Sequence, residues 1–336
     1  MIDVKDKKFD PEKNFIYFSL FISFFPQLLA GPIERYKKLM PQLKILKSAT
    51  PNNILDGVLM LMYGFFLKLC LADRWGNYSD TIFEKTNDIS SLSALIGSYA
   101  FSIQLYGDFL GYTMIALGSA KLFGLKLSNN FKEPYLSKNI NEFWQNWHIS
   151  LTSWIFDYIY KGLGSKILKI NIINYQLKSY STSLTTWLIL GLWHGANFTF
   201  VLFGLVQFIL IQSREVYLRF FSLKKNYLIN LFSVLITFHC INFSFALIRS
   251  PSLNHFYDLL KSLVSLEGGL KLPGEIKYYG VFILIIVLTV DIVRKYKIKI
   301  DFFSKNETKL LFLILLIIMI IFFSYNYNRA YIYFRF

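Results

Sequence analysis

An all-α, polytopic membrane fold is what this sequence predicts, and three observations carry the expectation. Of 336 residues, 54% are hydrophobic and 18% aromatic; the mean hydropathy is positive; and the apolar residues gather into runs that reach the roughly 20 residues a helix needs to cross a bilayer. Candidate spans lie near Phe15 to Ala30, Ile54 to Ala72, Leu92 to Leu117, Leu184 to Ile211, Tyr227 to Ile248, Tyr278 to Val293 and Leu310 to Phe323. Several are too long or too interrupted to be single straight helices. Almost no chain is left for a separate soluble domain, so residues 15–336 read as one membrane domain behind a polar leader, 1–14.

The formal net charge is +15. In a soluble protein that would point to nucleic acid. Here the lysines and arginines sit between spans, at Arg35 to Lys47, Lys161 to Lys178, Arg214 to Lys225 and Arg294 to Lys309. Such clusters mark cytoplasmic loops and attract anionic headgroups, so membrane lipids are the expected partners and nucleic acid is not. If the spans above simply alternate, the four clusters cannot share one side, which leaves the topology open. A basic cytoplasmic face also suits a phosphate-bearing acyl carrier, although headgroups explain the charge without one. Cys70 and Cys240 lie in apolar context, and the histidines at 148, 194, 239 and 255 form no i, i+4 pair. No disulfide framework and no metal site are expected.

Taken in order, the leader lacks the pattern of a cleaved signal peptide. Prolines at 26 and 32 and Gly31 interrupt the first run. This reads either as a re-entrant or interfacial turn or as a span ending at Pro32, because broken backbone at membrane depth needs protein or a water-filled cavity to satisfy it. Lys68 is expected to snorkel to the headgroups, with Asp73 and Arg74 marking the membrane exit. Asp108, among Gln104, Tyr106, Gly107, Gly111 and Tyr112, is either a buried acceptor or the floor of a polar cavity. The structural role is the preferred one.

After the loop Ser128 to Tyr135, Asn139 or Asn141 is expected to cap a helix. On it Asn141, Gln145, His148 and Thr152 share one polar stripe, and Phe143, Trp144, Trp147, Leu151 and Trp154 form the neighbouring aromatic face. That helix is too polar to span, so it should lie at the interface or dip into the protein. Gly162 and Gly164 are too few for a dinucleotide fingerprint, and Lys166 to Lys178 reads as an amphipathic connection. His194 stands between Gly191 and Gly195 inside an apolar run, where an ionisable side chain needs a reason and where missing side chains let another backbone or a slender ligand approach. His239 reads as a packing residue, and His255 as part of a polar loop without recognisable chemistry. No internal repeat of the transporter kind is visible.

Seven blocks, in order, resemble the membrane-bound O-acyltransferase superfamily, in its bacterial branch with the alginate O-acetyltransferase and the D-alanyl transferase of teichoic acids. They are Phe24 to Tyr36 (FFPQLLAGPIERY), Asp108 to Tyr112 (DFLGY), Asn130 to Leu136 (NFKEPYL), Glu142 to Leu151 (EFWQNWHISL), Asp157 to Gly164 (DYIYKGLG), Gly191 to Phe203 (GLWHGANFTFVLF) and Tyr331 to Phe336 (YIYFRF). The resemblance implies a ring of transmembrane and re-entrant helices around a central tunnel. It implies His194 as the essential active-site histidine and His148 as the second. Two imidazoles in a polar pocket would take the acceptor's hydroxyl proton and orient attack on a thioester. Trp147 and Trp193 would wall the tunnel and exclude water; Trp144, Gln145, Asn141, Asp108 and Asn197 are further candidate tunnel residues.

No bound cofactor is implied. The expected donor is a cytoplasmic thioester, acetyl-CoA, the acceptor is an exported or cell-wall polysaccharide, and the partner is an extracytoplasmic acetyltransferase. The expected location is the bacterial cytoplasmic membrane, with several crossings. D-alanyl transfer from a carrier protein to teichoic acid is the rival within the family. A glycan or lipid transporter, with the histidines as a proton relay, and an inactive truncated remnant are the others. Where the family carries additional helices ahead of the FFPQ block, this chain has the polar leader, so it is expected to be N-terminally short.

Overall fold

The computed structural model describes residues 2–28, 31–45, 48–84, 90–167, 174–220, 226–265, 273–274, 276–297, 305–325 and 329–332. Parts of the expected blocks and basic connections lie outside the described residues: 29–30, 46–47, 168–173, 221–225, 298–304 and 333–336. The described elements are α1 (Ile2–Lys5), α2 (Phe15–Ser23), α3 (Tyr36–Lys44), α4 (Pro51–Phe66), α5 (Asp73–Phe83), α6 (Ser91–Leu122), α7 (Ile140–Asn146), α8 (Ile149–Ile155), α9 (Lys161–Ile167), α10 (Tyr175–His194), α11 (Phe198–Phe220), α12 (Tyr227–Arg249), α13 (Leu253–Ser265), α14 (Val281–Lys295) and α15 (Asn306–Phe323). No strand occurs among the described residues. Among the described residues five stretches are long and apolar enough to cross a membrane: Pro51–Phe83, Phe198–Tyr217, Tyr227–Arg249, Ile276–Lys295 and Asn306–Phe323. The chain is an all-α, polytopic membrane protein.

Many of these helices begin on an oxygen-bearing cap that takes up an orphan backbone N–H. Thr50 accepts from Asn53, with Pro51 in the first turn, Ser90 from Ser93, Asn139 from Glu142, Asn174 from Gln176, and Asn226 from Leu228. Two rods form the centre. A π-helical segment, Leu67–Ala72, joins α4 to α5, and α6 lies against them with small residues at the crossing. A Cβ built on Gly64 would stand 2.6 Å from the Gly111 carbonyl oxygen, and one on Gly118 2.6 Å from that of Gly57. Such small-residue seams let membrane helices approach backbone to backbone.

Several expectations are corrected. Phe15 to Ala30 is not a span: α2 has 9 residues and gives way to a 3₁₀ turn at Phe25–Gln27, because Pro26 stops the helix. Asp73 and Arg74 do not mark a membrane exit, since the rod continues to Phe83 and both are buried. Lys68 does not snorkel; its ammonium lies 2.8 Å from both Asp73 and Asp108. His255 belongs to the amphipathic α13, where its ring stacks on Phe83, while His239 stacks on Tyr99 with its Nδ1 3.1 Å from that hydroxyl.

Leu184 to Ile211 is not one span either. It is the facing halves of a hairpin, α10 and α11, that turns at Gly195, Ala196 and Asn197. That turn changes the count of crossings and removes the topological difficulty. Lys121 and Lys309 share Asp56, gathering the ends of α4, α6 and α15, and Lys38 reaches Ser128 just beyond α6. Arg294 meets Glu133 and Lys295 meets Glu142. Asn141 donates to Glu215 near the end of α11, and Arg35 pairs with Asp157, as does Lys161. The described parts of all four basic connections therefore fall on one face. The opposite face carries Asp80 between Arg249 and Arg329, and Ser91 bonded to Ser262.

Candidate active site

One face of α10 repeats at helical spacing as Tyr175, Ser179, Ser183, Thr186, Leu190 and His194, and all of these line a cavity of about 570 Å³. At about 1.5 Å of rise per residue, the cavity follows nearly the whole length of α10. One end holds Gln212 and Glu215 from α11 and Asn141 from α7; Asn141 Nδ2 donates to Glu215 Oε1 at 3.1 Å and Arg214 Nη1 to the same oxygen at 3.0 Å. This end lies on the basic face. Its other end holds His194 and Ile248, close to the turn where Asn197 is tied to Pro251.

His148 reaches the same cavity from the opposite wall. The continuous helix expected through Asn141 to Thr152 is broken there: α7 stops at Asn146, His148 takes a left-handed conformation (φ 44, ψ 53), and α8 restarts at Ile149. The break answers to contacts from outside, since Asn130 accepts backbone bonds from Ile149 and Ser150. Phe109 holds the imidazole edge-on at 4.5 Å between ring centres. Nδ1 of His148 is buried with no hydrogen-bond partner among the described residues, which leaves Nε2 as the nitrogen accessible from the cavity. His194 is the last residue of α10. Trp193 lies edge-on to its ring at 4.9 Å, and Phe200 and Phe203 stand farther off. Two imidazoles on the walls of one cavity are groups able to take a proton and steady a developing charge.

Other sequence-predicted residues divide by geometry. Asn141, Trp144 and Trp147 line the cavity with the two histidines. Trp144 is fixed by its indole N–H donating to Gln207 at 3.1 Å, and Trp147 packs among Tyr135, Phe143 and Phe245. Gln145, Trp193, Asp108 and Asn197 are not among the residues that line this cavity. Gln145 is exposed on α7, and Trp193 is 51% exposed on α10. Asp108 is held by Lys68 and the Ile332 amide. Asn197 caps α11 through Thr199 while reaching Pro251. Reasoning from sequence missed the serine and threonine stripe of α10, although its spacing was readable back to Tyr175.

The architecture and site define a class: a helical membrane protein with a long cavity between its faces and paired histidines on the cavity walls. The family model of MBOAT, the membrane-bound O-acyltransferase family, matches residues 9–250, and the chain belongs to that family. It is 35% identical over 262 residues to a peptidoglycan O-acetyltransferase of Helicobacter pylori, covering 76% of this chain and 48% of that one. It is 37% identical over 204 residues to a probable alginate O-acetylase of Pseudomonas putida, covering 61% of this chain and 40% of the relative. Identity to a teichoic acid D-alanyltransferase of Bacillus subtilis is 28% over 244 residues, covering 70% of this chain and 62% of that one. The chain spans about half the length of the curated relatives it matches.

Proposed function

We propose that this protein is an O-acyltransferase that moves an acetyl group from a cytoplasmic thioester, acetyl-CoA, towards hydroxyls of an exported or cell-wall polysaccharide, with an extracytoplasmic transferase as onward partner. The observation that carries the reading is that His148 and His194, from separate elements, line one cavity. In this reading His194 is the base and His148 the supporting hydrogen-bonding group. The acceptor hydroxyl gives its proton to imidazole as its oxygen attacks the thioester carbonyl carbon; the carbon–sulfur bond then breaks and the thiolate takes the proton back. An apolar wall that excludes water protects the thioester from hydrolysis.

Orientation supports the same reading. Because the basic connections share one face, the positive-inside rule makes that face cytoplasmic. The cavity's Glu215 end then meets the donor's compartment, and its His194 end lies towards the acceptor's. A relative matched over 76% of this chain is named for peptidoglycan O-acetylation, which favours a cell-wall acceptor. D-alanyl transfer from a carrier protein stays the second reading, supported by the more distant similarity to a teichoic acid D-alanyltransferase. Supplying membranes with each labelled donor in turn separates the two, and glycan flux without a new ester would instead mark a transporter.

His194→Ala is expected to lower base-labile acetyl on the wall polysaccharide by about a hundredfold or more while the protein remains in the membrane. Acetylation kept at the wild-type level would reject the assignment. His148→Ala is expected to be strongly impaired as well, and a wild-type rate there would reduce it to a packing residue.

A further inference from the structure

We propose that Asn130 and Ser150 are positioning residues that aim His148 by holding its backbone, a role that rests on the reading of His148 as a site residue. Nothing between Ile140 and Ile155 breaks a helix by composition, since the stretch holds neither glycine nor proline. Left to itself it would continue as one helix through position 148. The structure instead breaks it there, at a left-handed conformation that side-chain-bearing residues adopt rarely.

Two non-helical segments clasp the break. From one side, Asn130 accepts the Ile149 amide on its carbonyl at 3.0 Å, and its Oδ1 accepts the Ser150 amide at 3.3 Å and the Ser150 hydroxyl at 2.6 Å. Lys132 completes that side by donating its amide to the Asn146 carbonyl at 3.0 Å. From the other side, the Ile33 amide donates to the Ser150 hydroxyl oxygen at 2.9 Å. Ser150 Oγ is thus a junction, giving its proton to Asn130 and taking one from Ile33. Neighbouring Glu34 ties the two clasping segments together by accepting from the Ser128 amide and hydroxyl. Asn130 is fully buried and Ser150 is 5% exposed, so water does not compete for these bonds.

The arrangement matters because of how His148 is held. Among the described residues none bonds its Nδ1, in the way a carboxylate or carbonyl commonly fixes the ring of a working histidine. The aim of Nε2 then depends on the backbone angle at 148 and on the edge of Phe109. If the clasp is loosened, the local preference for a continuous helix turns the imidazole away from the cavity. Three separated blocks, at Gly31 to Glu34, Ser128 to Lys132 and Asn146 to Ser150, thereby serve one side chain.

The test uses membranes bearing the full chain, radiolabelled acetyl-CoA and wall polysaccharide, with Ser150→Ala, Ser150→Thr, Asn130→Ala, His148→Gln and the double variant S150A/H148Q. Ser150→Ala is expected to lower kcat by about tenfold to a hundredfold with the KM for acetyl-CoA within about twofold, because contacts to the donor elsewhere in the cavity are untouched. Ser150→Thr, which keeps the hydroxyl, is expected to restore most of the rate, and Asn130→Ala to lose at least as much as Ser150→Ala. The double variant should be no slower than His148→Gln alone, since removing the aim of a missing imidazole costs nothing more. Wild-type kcat in Ser150→Ala, or its full loss repeated on top of His148→Gln, overturns the proposal. If Asn130→Ala fails to reach the membrane, Ser150→Ala decides, because it leaves both backbone bonds to Asn130 in place. A wild-type rate in His148→Gln would instead sink the reading of the site, and the positioning role with it. A large loss there with none in Ser150→Ala would sink the positioning role alone.

Discussion

At Lys68 one ammonium answers two carboxylates, Asp73 and Asp108, each 2.8 Å away, and all three side chains are nearly inaccessible. An ion group of this kind is a poor source of net stability but is costly to break, because removing one partner strands charge in a low-dielectric interior. Lys68→Met is therefore expected to destabilise the protein by roughly 3–5 kcal/mol, read as a lower melting temperature in detergent. The triple variant K68M/D73N/D108N, which removes the charges together, should lose less. A triple variant less stable than the single one would refute that account. The two kinds of polar residue also differ in how legible they were. His194 and Asp108 stood out because each interrupts an apolar run; the first lines the cavity and the second lies in the ion group with Lys68. Lys68 was misread because its partner Asp108 comes from another helix, and the register of two crossing rods is written in their glycine seam rather than in the local pattern around Lys68. Asn130 and Ser150 gave no signal at all beyond lying in blocks that resemble a family.

Element by element, the lengths of the apolar runs found most of the membrane helices and misjudged where two of them turn. Leu184 to Ile211 contains no proline and only three glycines, so its apolar run hides the bend at Gly195. What makes the bend possible is close approach. A Cβ on Gly191 would collide with the Phe200 carbonyl oxygen, and one on Gly204 with that of Trp187. Both obstacles are backbone, so no rotamer change relieves them. Gly204→Ala is accordingly expected to cost about 1–3 kcal/mol, the usual range for overpacking, and to lower activity by spreading the cavity wall that carries His194. Gly162 in α9 supplies the control, since nothing lies within 4 Å of a Cβ built there. Gly162→Ala should be neutral or stabilising by about 0.5–1 kcal/mol through helix propensity alone. Thermal melting of both variants checks the pair; equal effects would mean that the hairpin is not sensitive to this contact.

On the scale of the whole molecule, one turn decides the topology. Reading Leu184 to Ile211 as a single crossing places Lys178 and Arg214 on opposite sides; reading it as a hairpin brings them together, and the four basic connections then agree. Composition alone made the membrane class legible, whereas the sidedness needed the fold, because the positive-inside rule sorts loops only after crossings are counted correctly. The consequence can be measured. Lys126, just beyond α6, and Lys297, just beyond α14, are exposed on the basic face, and Lys261 on α13 is exposed on the other. Cysteines placed singly as K126C, K297C and K261C, in a chain whose own Cys70 and Cys240 are replaced by alanine, should divide on intact cells treated with a membrane-impermeant maleimide. K261C is expected to react, with K126C and K297C protected until the cells are opened. The reverse pattern would put the Glu215 end of the cavity outside the cell, where acetyl-CoA is absent, and would remove the cytoplasmic donor from the proposed reaction even if both histidines proved essential.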